Sequence, residues 1–285
     1  MIWEEFRTPP KFGCELPGPK DRVSGDLMKI LFLFLAFFLH ADPPKKVFFV
    51  SLPKAGTHML IKAIELMQKE RLRWIGLENS FHFSPLWDLS YSHKVTAGHL
   101  FPYPSIEKVR LEYSDSYTKI LLIRDPRDIM VSFSHHLRKG MIWSSLPTFD
   151  YDRFVSLTSD EQLKETLFFP NQYLHPGVCF PLAVLWIQDP SVLVCRYEDL
   201  VGSQGGGSDE KQFEVLKRIA LYMGCVLSDD EIRDIGVKMY GGTWTFRKGN
   251  IEGWRTAYSE ENKALFKQLY GTYISAFGYG DADDW

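Results

Sequence analysis

The run Val47-Phe48-Phe49-Val50-Ser51-Leu52-Pro53-Lys54-Ala55-Gly56-Thr57-His58-Met59-Leu60 constrains the fold more than any other stretch of this 285-residue chain. An apolar strand enters a tight turn, and an amphipathic helix follows with Met59, Leu60, Ala63, Ile64 and Met67 on one face. Strand, glycine turn and helix in that order aim backbone N–H groups, the positive end of a helix and an ammonium at one point. Such a point holds a phosphate-like anion. It differs from the nucleoside-triphosphate loop G-x-x-x-x-G-K-[ST], because Lys54 precedes Gly56 and no second glycine stands five residues earlier. The turn is shorter and suits one phosphate-like group; the plain alternative is a strand–turn–helix with a surface lysine.

Beyond Pro43-Pro44 apolar runs alternate with amphipathic helices, the pattern of an α/β domain with a central parallel sheet flanked by helices. Strands are expected at Val47 to Leu52, Lys94 to Ala97, Ile120 to Ile123 and Val192 to Cys195. Asp125 can cap a helix with Pro126 at its first position, ending before Gly140. Gly202 to Asp209 is expected to be a flexible loop within the domain. A helix from about Glu210 to Met223 stops at Gly224, and Ser228 with Glu231 forms a capping box. Ser259 caps a last helix whose Leu265, Phe266, Leu269, Tyr270, Tyr273 and Ile274 face the core.

Two further elements carry charge toward an anion. Arg124 ends a strand, where open α/β sheets bind ligands, and Ser132 lies two turns into the next helix on the near face. A guanidinium and a hydroxyl converging there grip a second phosphate; alternatively Arg124 is structural and paired with Asp125 or Asp128. Arg247-Lys248-Gly249 sets two cations on a glycine loop, with Gly253-Trp254-Arg255 after it.

Together these resemble the sulfotransferase family that uses 3′-phosphoadenosine 5′-phosphosulfate. Pro53-Lys54-Ala55-Gly56-Thr57 is similar to its 5′-phosphosulfate loop, and Arg124-Asp125-Pro126-Arg127-Asp128-Ile129-Met130-Val131-Ser132 to its 3′-phosphate element. Arg247-Lys248-Gly249-Asn250-Ile251-Glu252-Gly253-Trp254-Arg255 resembles the C-terminal R-K-G-x-x-G-x-W-K stretch, and Tyr197-Glu198-Asp199 the Y-E-D motif whose Tyr touches adenine. The resemblance covers about residues 45–280 and implies a P-loop NTPase-like sulfotransferase fold. It places the donor on Lys54, Ala55, Gly56, Thr57, His58, Met59, Arg124, Ser132, Tyr197, Phe246, Arg247, Lys248 and Gly249. His99, in Lys94-Val95-Thr96-Ala97-Gly98-His99-Leu100-Phe101-Pro102, matches the family's catalytic base, with Lys54 as its catalytic partner; a carboxylate base is the rival. His135 and His136 follow the Ser, where packing is expected of them. The family often has a second Thr and then Trp where His58 and Met59 stand, so Met59 is expected to pack on the adenine face, with Trp244 or Phe246 adding aromatic surface. The implied co-substrate is 3′-phosphoadenosine 5′-phosphosulfate, with no metal, and the acceptor is a hydroxyl-bearing small molecule or glycan.

Bulk properties set the frame. A net charge of −3 gives no global field for nucleic acid, so no nucleic-acid partner is expected. Cys14, Cys179, Cys195 and Cys225 lack metal-ligand or disulfide-framework spacing and are expected to be reduced and structural. Residues 1–41 are expected to be a leader and 42–285 the domain. Within the leader, Met28-Lys29, the apolar run Ile30 to Leu39 and Leu39-His40-Ala41 read as a compact signal peptide, too short to cross a bilayer. Residues 1–27 lack periodicity, and Gly25-Asp26 is writable as GGAGAT, a ribosome-binding sequence, so Met28 is the expected start; a hydrophobic docking helix is the alternative. Membrane contact is expected only through residues 28–40. Donor supply favours the cytosol, whereas a working signal from Met28 would direct export. The other functional classes in view are a P-loop-like phosphotransferase or nucleotide kinase, against which the absent G-K-[ST] argues, and an inactive nucleotide-binding module.

Overall fold

A computed structural model describes residues 46–69, 73–75, 95–100, 110–111, 117–140, 149–168, 175–242, 248–283 and 285. The leader, the aromatic stretch from Phe81 to Trp87, Trp143, and Trp244, Phe246 and Arg247 lie outside the described residues. Five parallel strands, β1 (Lys46–Ser51), β2 (Arg73–Ile75), β3 (Val95–His99), β4 (Tyr117–Ile123) and β5 (Val192–Arg196), form one sheet in the order β2-β3-β1-β4-β5. The chain leaves β1 toward β3 but leaves β4 toward β5, so right-handed crossovers place helices on both faces. The reversal of direction beside β1 is a topological switch point, which opens a crevice at the carboxyl ends of the strands.

Helix α1 (Thr57–Gln68) buries Met59, Leu60, Ala63, Ile64 and Met67, the face its apolar spacing dictates. Each large apolar side chain so buried contributes about 1.5–3 kcal/mol. After α2 (Pro126–Arg138) come α3 (Tyr151–Ser156), α4 (Ser159–Leu167), α5 (Phe180–Gln188), α6 (Tyr197–Leu200), α7 (Asp209–Tyr222), α8 (Asp229–Met239) and α9 (Glu260–Ala276). α7 and α8 pack with α1, whereas α4 and α9 pack with α2. Asp125 caps α2 by accepting from the Arg127 N–H, Ser228 and Glu231 form their capping box, and Ser259 caps α9.

Three expectations are revised. Strand β4 begins at Tyr117 and all seven of its residues are buried, including Lys119 at 0% exposure. Its polar start is tolerated because Lys119 Nζ donates to the Arg110 carbonyl at 3.3 Å and lies 3.6 Å from Asp189 Oδ2. Leu269 is exposed rather than core, while Asn262 of the same helix is fully buried and donates to the Asp160 carbonyl at 3.0 Å. Gly202 to Asp209 is a hydrogen-bonded turn rather than a free loop. Asp209 accepts from the Ser203 N–H at 2.8 Å, Gly207 N–H donates to the Gly202 carbonyl at 2.8 Å, and Ile251 N–H donates to the Gly205 carbonyl at 3.0 Å. The glycines serve close approach here. A Cβ on Gly205 would strike the Val201 side chain and lie 2.6 Å from the Gly249 carbonyl oxygen.

Gly205→Ala is therefore expected to lower stability by about 1–3 kcal/mol through overpacking, read as a lower urea midpoint at unchanged slope. Wild-type stability in this variant would show that the turn and the 249–251 segment are not in contact.

Candidate functional site

Register assembles the site. Ser51, the last residue of β1, pairs with His99 of β3 and Leu122 of β4, and Leu122 pairs with Cys195 of β5. Arg124 and Tyr197 each stand two residues past those partners, so Ser51, His99, Arg124 and Tyr197 share one edge of the sheet. Leu52 N–H to the Leu122 carbonyl (3.0 Å) and Leu100 N–H to the Ser51 carbonyl (2.8 Å) carry the pairing past the strand ends.

The turn after Ser51 is strained in the way an anion cradle requires. Lys54 and Gly56 hold positive φ of 69° and 96°. For Lys54 that conformation costs about 1–2 kcal/mol, which the surrounding contacts must offset. Gly56 is obligatory twice over, since a Cβ there would also lie 2.7 Å from Tyr197 Cε2. Gly56 precedes α1, which has no side-chain cap and no acidic residue in its first turn. Its first turn thus carries no side chain that would compete with an external anion for the helix dipole. Within the cradle Ser51 Oγ lies 2.6 Å from Thr57 Oγ1 and 3.3 Å from His99 Nδ1.

Arg124 lies over the Tyr197 ring at 4.3 Å, donates through Nη1 to the Lys54 carbonyl at 3.4 Å and through Nη2 to the Asn250 carbonyl at 2.8 Å. It thereby links the cradle to the C-terminal loop. Tyr197, 4% exposed, donates its hydroxyl to the Gly249 carbonyl at 2.6 Å. Of the two structural partners weighed for Arg124, the structure selects Asp128, at 3.4 Å, since Asp125 chelates Arg127 instead. Asp128 also accepts from the Trp254 N–H at 2.9 Å, and Arg127 stacks on the Trp254 ring at 3.7 Å. Burial pushes the Asp128 carboxyl up, opposed by Arg124. Glu198 accepts from the Asp125 N–H at 3.0 Å and the Tyr279 hydroxyl at 2.6 Å, so it fixes the start of α2. Lys248 is exposed and its carbonyl accepts from the Tyr240 hydroxyl at 2.9 Å.

The histidines sort differently from expectation. His135, with Val131 and Ser134, lines a separate cleft of about 460 Å³ beside α4 and the start of α9. His136, one turn after Ser132 on the same face, lies instead close enough to Lys54 and His99 to feel their charge. Packing was expected of it, but helix azimuth puts it in the site. Burial first, then Lys54, hold both His99 and His136 at about 3. His58 is lowered by burial and by Lys54. Met59 lies on the buried face of α1, at 8% exposure. Thr57 is buried and Ser132 half-buried, whereas Phe246 and Arg247 lie outside the described residues. Ser51 and His136 were given no site role by the motifs, and Glu198 and Asp128 were quoted within motifs without a role toward the donor. A polar residue closing an apolar strand was the one available signal for Ser51.

A family model described as the sulfotransferase domain matches residues 44–241. Sulfotransferase 6B1 of Danio rerio is 27% identical over 177 residues, which is 55% of this chain and 52% of that protein. The chain thus spans about half the length of that relative. Sulfotransferase 6B1 of Homo sapiens is 25% identical over 92% of this chain and 86% of its own length. Among solved structures, mouse sulfotransferase SULT7A1 complexed with PAP superposes with a TM-score of 0.57 at 18% identity, covering 82% of this chain and 86% of that one.

The depressed histidines fix a pH response. His99 and His136 at about 3 are neutral when folded, whereas the unfolded imidazoles protonate near 6.5. Their stabilisation is complete above about pH 6.5 and is lost as pH falls toward 3, at about 1.4 kcal/mol per pH unit per histidine. In urea titrations between pH 4 and 6, His136→Asn is expected to reduce that slope by about one such step. An unchanged slope would place His136 in solvent.

Proposed function

The chain belongs to the sulfotransferase family, and on that premise we propose that it moves a sulfuryl group from 3′-phosphoadenosine 5′-phosphosulfate to a hydroxyl acceptor. The observation that carries this reading is the convergence on one sheet edge of the Lys54–Thr57 cradle, Arg124 and a neutral His99. The residues fit such a donor. Among the described residues the buried Arg124 Nε has no hydrogen-bond partner, and α1 has neither a side-chain cap nor an acidic residue in its first turn. The complex of mouse SULT7A1 with PAP supports a nucleotide in this fold.

Lys54, Thr57 and the N–H groups of α1 hold the 5′-phosphosulfate end. Arg124 and Ser132 hold the 3′-phosphate, with Arg247, Lys248 and Gly249 of the C-terminal motif assigned to the same group. His99 takes the acceptor's hydroxyl proton as the acceptor oxygen bonds to sulfur. Lys54 and Thr57 stabilise the negative charge that collects on the phosphate oxygen when the bridging sulfur–oxygen bond breaks. The proton ends on imidazole and the electron pair on the departing phosphate, so the step balances without a metal. The acceptor is an alcohol, phenol or sugar hydroxyl.

Calorimetry is expected to show binding of adenosine 3′,5′-bisphosphate at least about tenfold tighter than ATP, since Arg124 and Ser132 serve a 3′-phosphate. With ³⁵S-labelled donor and a panel of phenols, alcohols and sugars, His99→Ala is expected to lower kcat by about 10²–10⁴-fold while bisphosphate affinity persists. Preference for ATP would point to a kinase. Undiminished turnover in His99→Ala would remove His99 from the chemistry.

A further inference from the structure

We infer that Ser51 is a positioning residue: its buried hydroxyl bridges Thr57 and His99 and fixes the tautomer in which His99 Nε2 carries the lone pair that meets the acceptor. This rests on the sulfuryl-transfer reading above for its function, though not for its geometry. Ser51 is 0% exposed, and its Oγ is within hydrogen-bond reach of Thr57 Oγ1 at 2.6 Å and His99 Nδ1 at 3.3 Å.

A hydroxyl has one proton, so the three groups can be ordered only in a few ways. Thr57 is the first residue of α1, in the cradle, where an anion supplies acceptors alone. When Thr57 spends its proton on that anion, its oxygen is left to accept, and Ser51 is the donor at 2.6 Å. Ser51 has then used its proton and can only accept from His99, so the imidazole proton sits on Nδ1. The Ser51 backbone also acts on the His99 ring in the direction that favours its protonated form, opposing burial and Lys54. Nε2, on the far side of the ring, is the basic atom.

The chain His99 Nδ1–H to Ser51 Oγ–H to Thr57 Oγ1–H to the anion points every proton the same way. When Nε2 takes the acceptor proton, the imidazolium's positive charge lies at one end of this chain and the departing phosphate's negative charge at the other. No proton need move along it. Aligned hydrogen bonds in a buried chain strengthen one another, so the chain favours the charge-separated state over the ground state.

The test is ¹⁵N NMR of histidine-labelled wild type, Ser51→Ala and Ser51→Thr at pH 7, with His99 assigned by its loss in His99→Asn. Wild type is expected as the Nδ1–H tautomer, more completely so with adenosine 3′,5′-bisphosphate, and Ser51→Ala is expected to shift toward Nε2–H. For any acceptor turned over in the ³⁵S assay, Ser51→Ala is expected to lose about 10- to 100-fold in kcat while donor affinity changes less than about threefold, and Ser51→Thr to regain the tautomer and most of the rate. An Nε2–H tautomer in wild type, or an unchanged tautomer in Ser51→Ala, overturns the inference even if the rate falls. Because the tautomer is read on the protein alone, failure of the sulfuryl-transfer reading would appear separately, as absent bisphosphate binding and absent turnover.

Discussion

In-register parallel pairing of β1 with both its neighbours is the constraint on which the site depends. Because Ser51 is level with His99 on one side and Leu122 on the other, the anion turn, the imidazole and Arg124 emerge at one height. A two-residue slip of β3 would preserve its inward and outward faces, yet move His99 about 7 Å along the strand. What blocks the slip is burial: Phe49, Val50, Ala97, Ile120 and Leu121 have no measurable exposure, and shifting any strand would break that packing. Core packing, with the backbone ladder it fixes in register, sets the distance between His99 and the Lys54–Thr57 turn.

On that frame the polar contacts form one connected set. Tyr197 lies against Gly56, carries the Arg124 guanidinium and bonds Gly249, so one aromatic ring touches cradle, arginine and C-terminal loop. Asp128 adds a second tie from Arg124 to that loop through the Trp254 N–H. A negative charge beside an anion-binding arginine opposes the ligand in simple Coulomb terms, but it also holds the guanidinium against rotation. The raised pKa tendency of Asp128 marks the cost of keeping that carboxylate buried. The arrangement favours an arginine already placed when its ligand arrives over one with the largest possible net charge.

Much of this was legible in the chain because the informative features are local. The strand–turn–helix at Val47 to Leu60, the Asp125-Pro126 cap and the Ser228–Glu231 box depend on residues within a few positions of each other. What escaped depends on partners far away in sequence. Lys119 reads as a loop residue until Asp189, seventy residues on, is seen beside it. The glycines at 202 to 207 read as freedom, yet Gly205 is small because Gly249 passes against it. Met59 satisfied two descriptions, core face and nucleotide contact, and the packing of α1 bears out the first. Leu269 failed because helical periodicity gives a face but not how far the core extends along it.

The histidine cluster shows why burial matters more here than charge. Three imidazoles, His58, His99 and His136, feel Lys54, and each is held below its ordinary range. Were they cationic, they would bind an anion well, but none could accept a proton. Held neutral, they leave Lys54 as the cation among them and leave His99 with the lone pair that the proposed reaction needs. A base near 3 is a weak one, yet Lys54 is the second cause of that depression after burial. An anion in the cradle neutralises Lys54 at close range and adds negative charge of its own, so it raises the basicity of His99 as it binds. On the proposed reaction the base is thus strongest when the donor is in place, which couples proton abstraction to donor occupancy through Coulomb interaction.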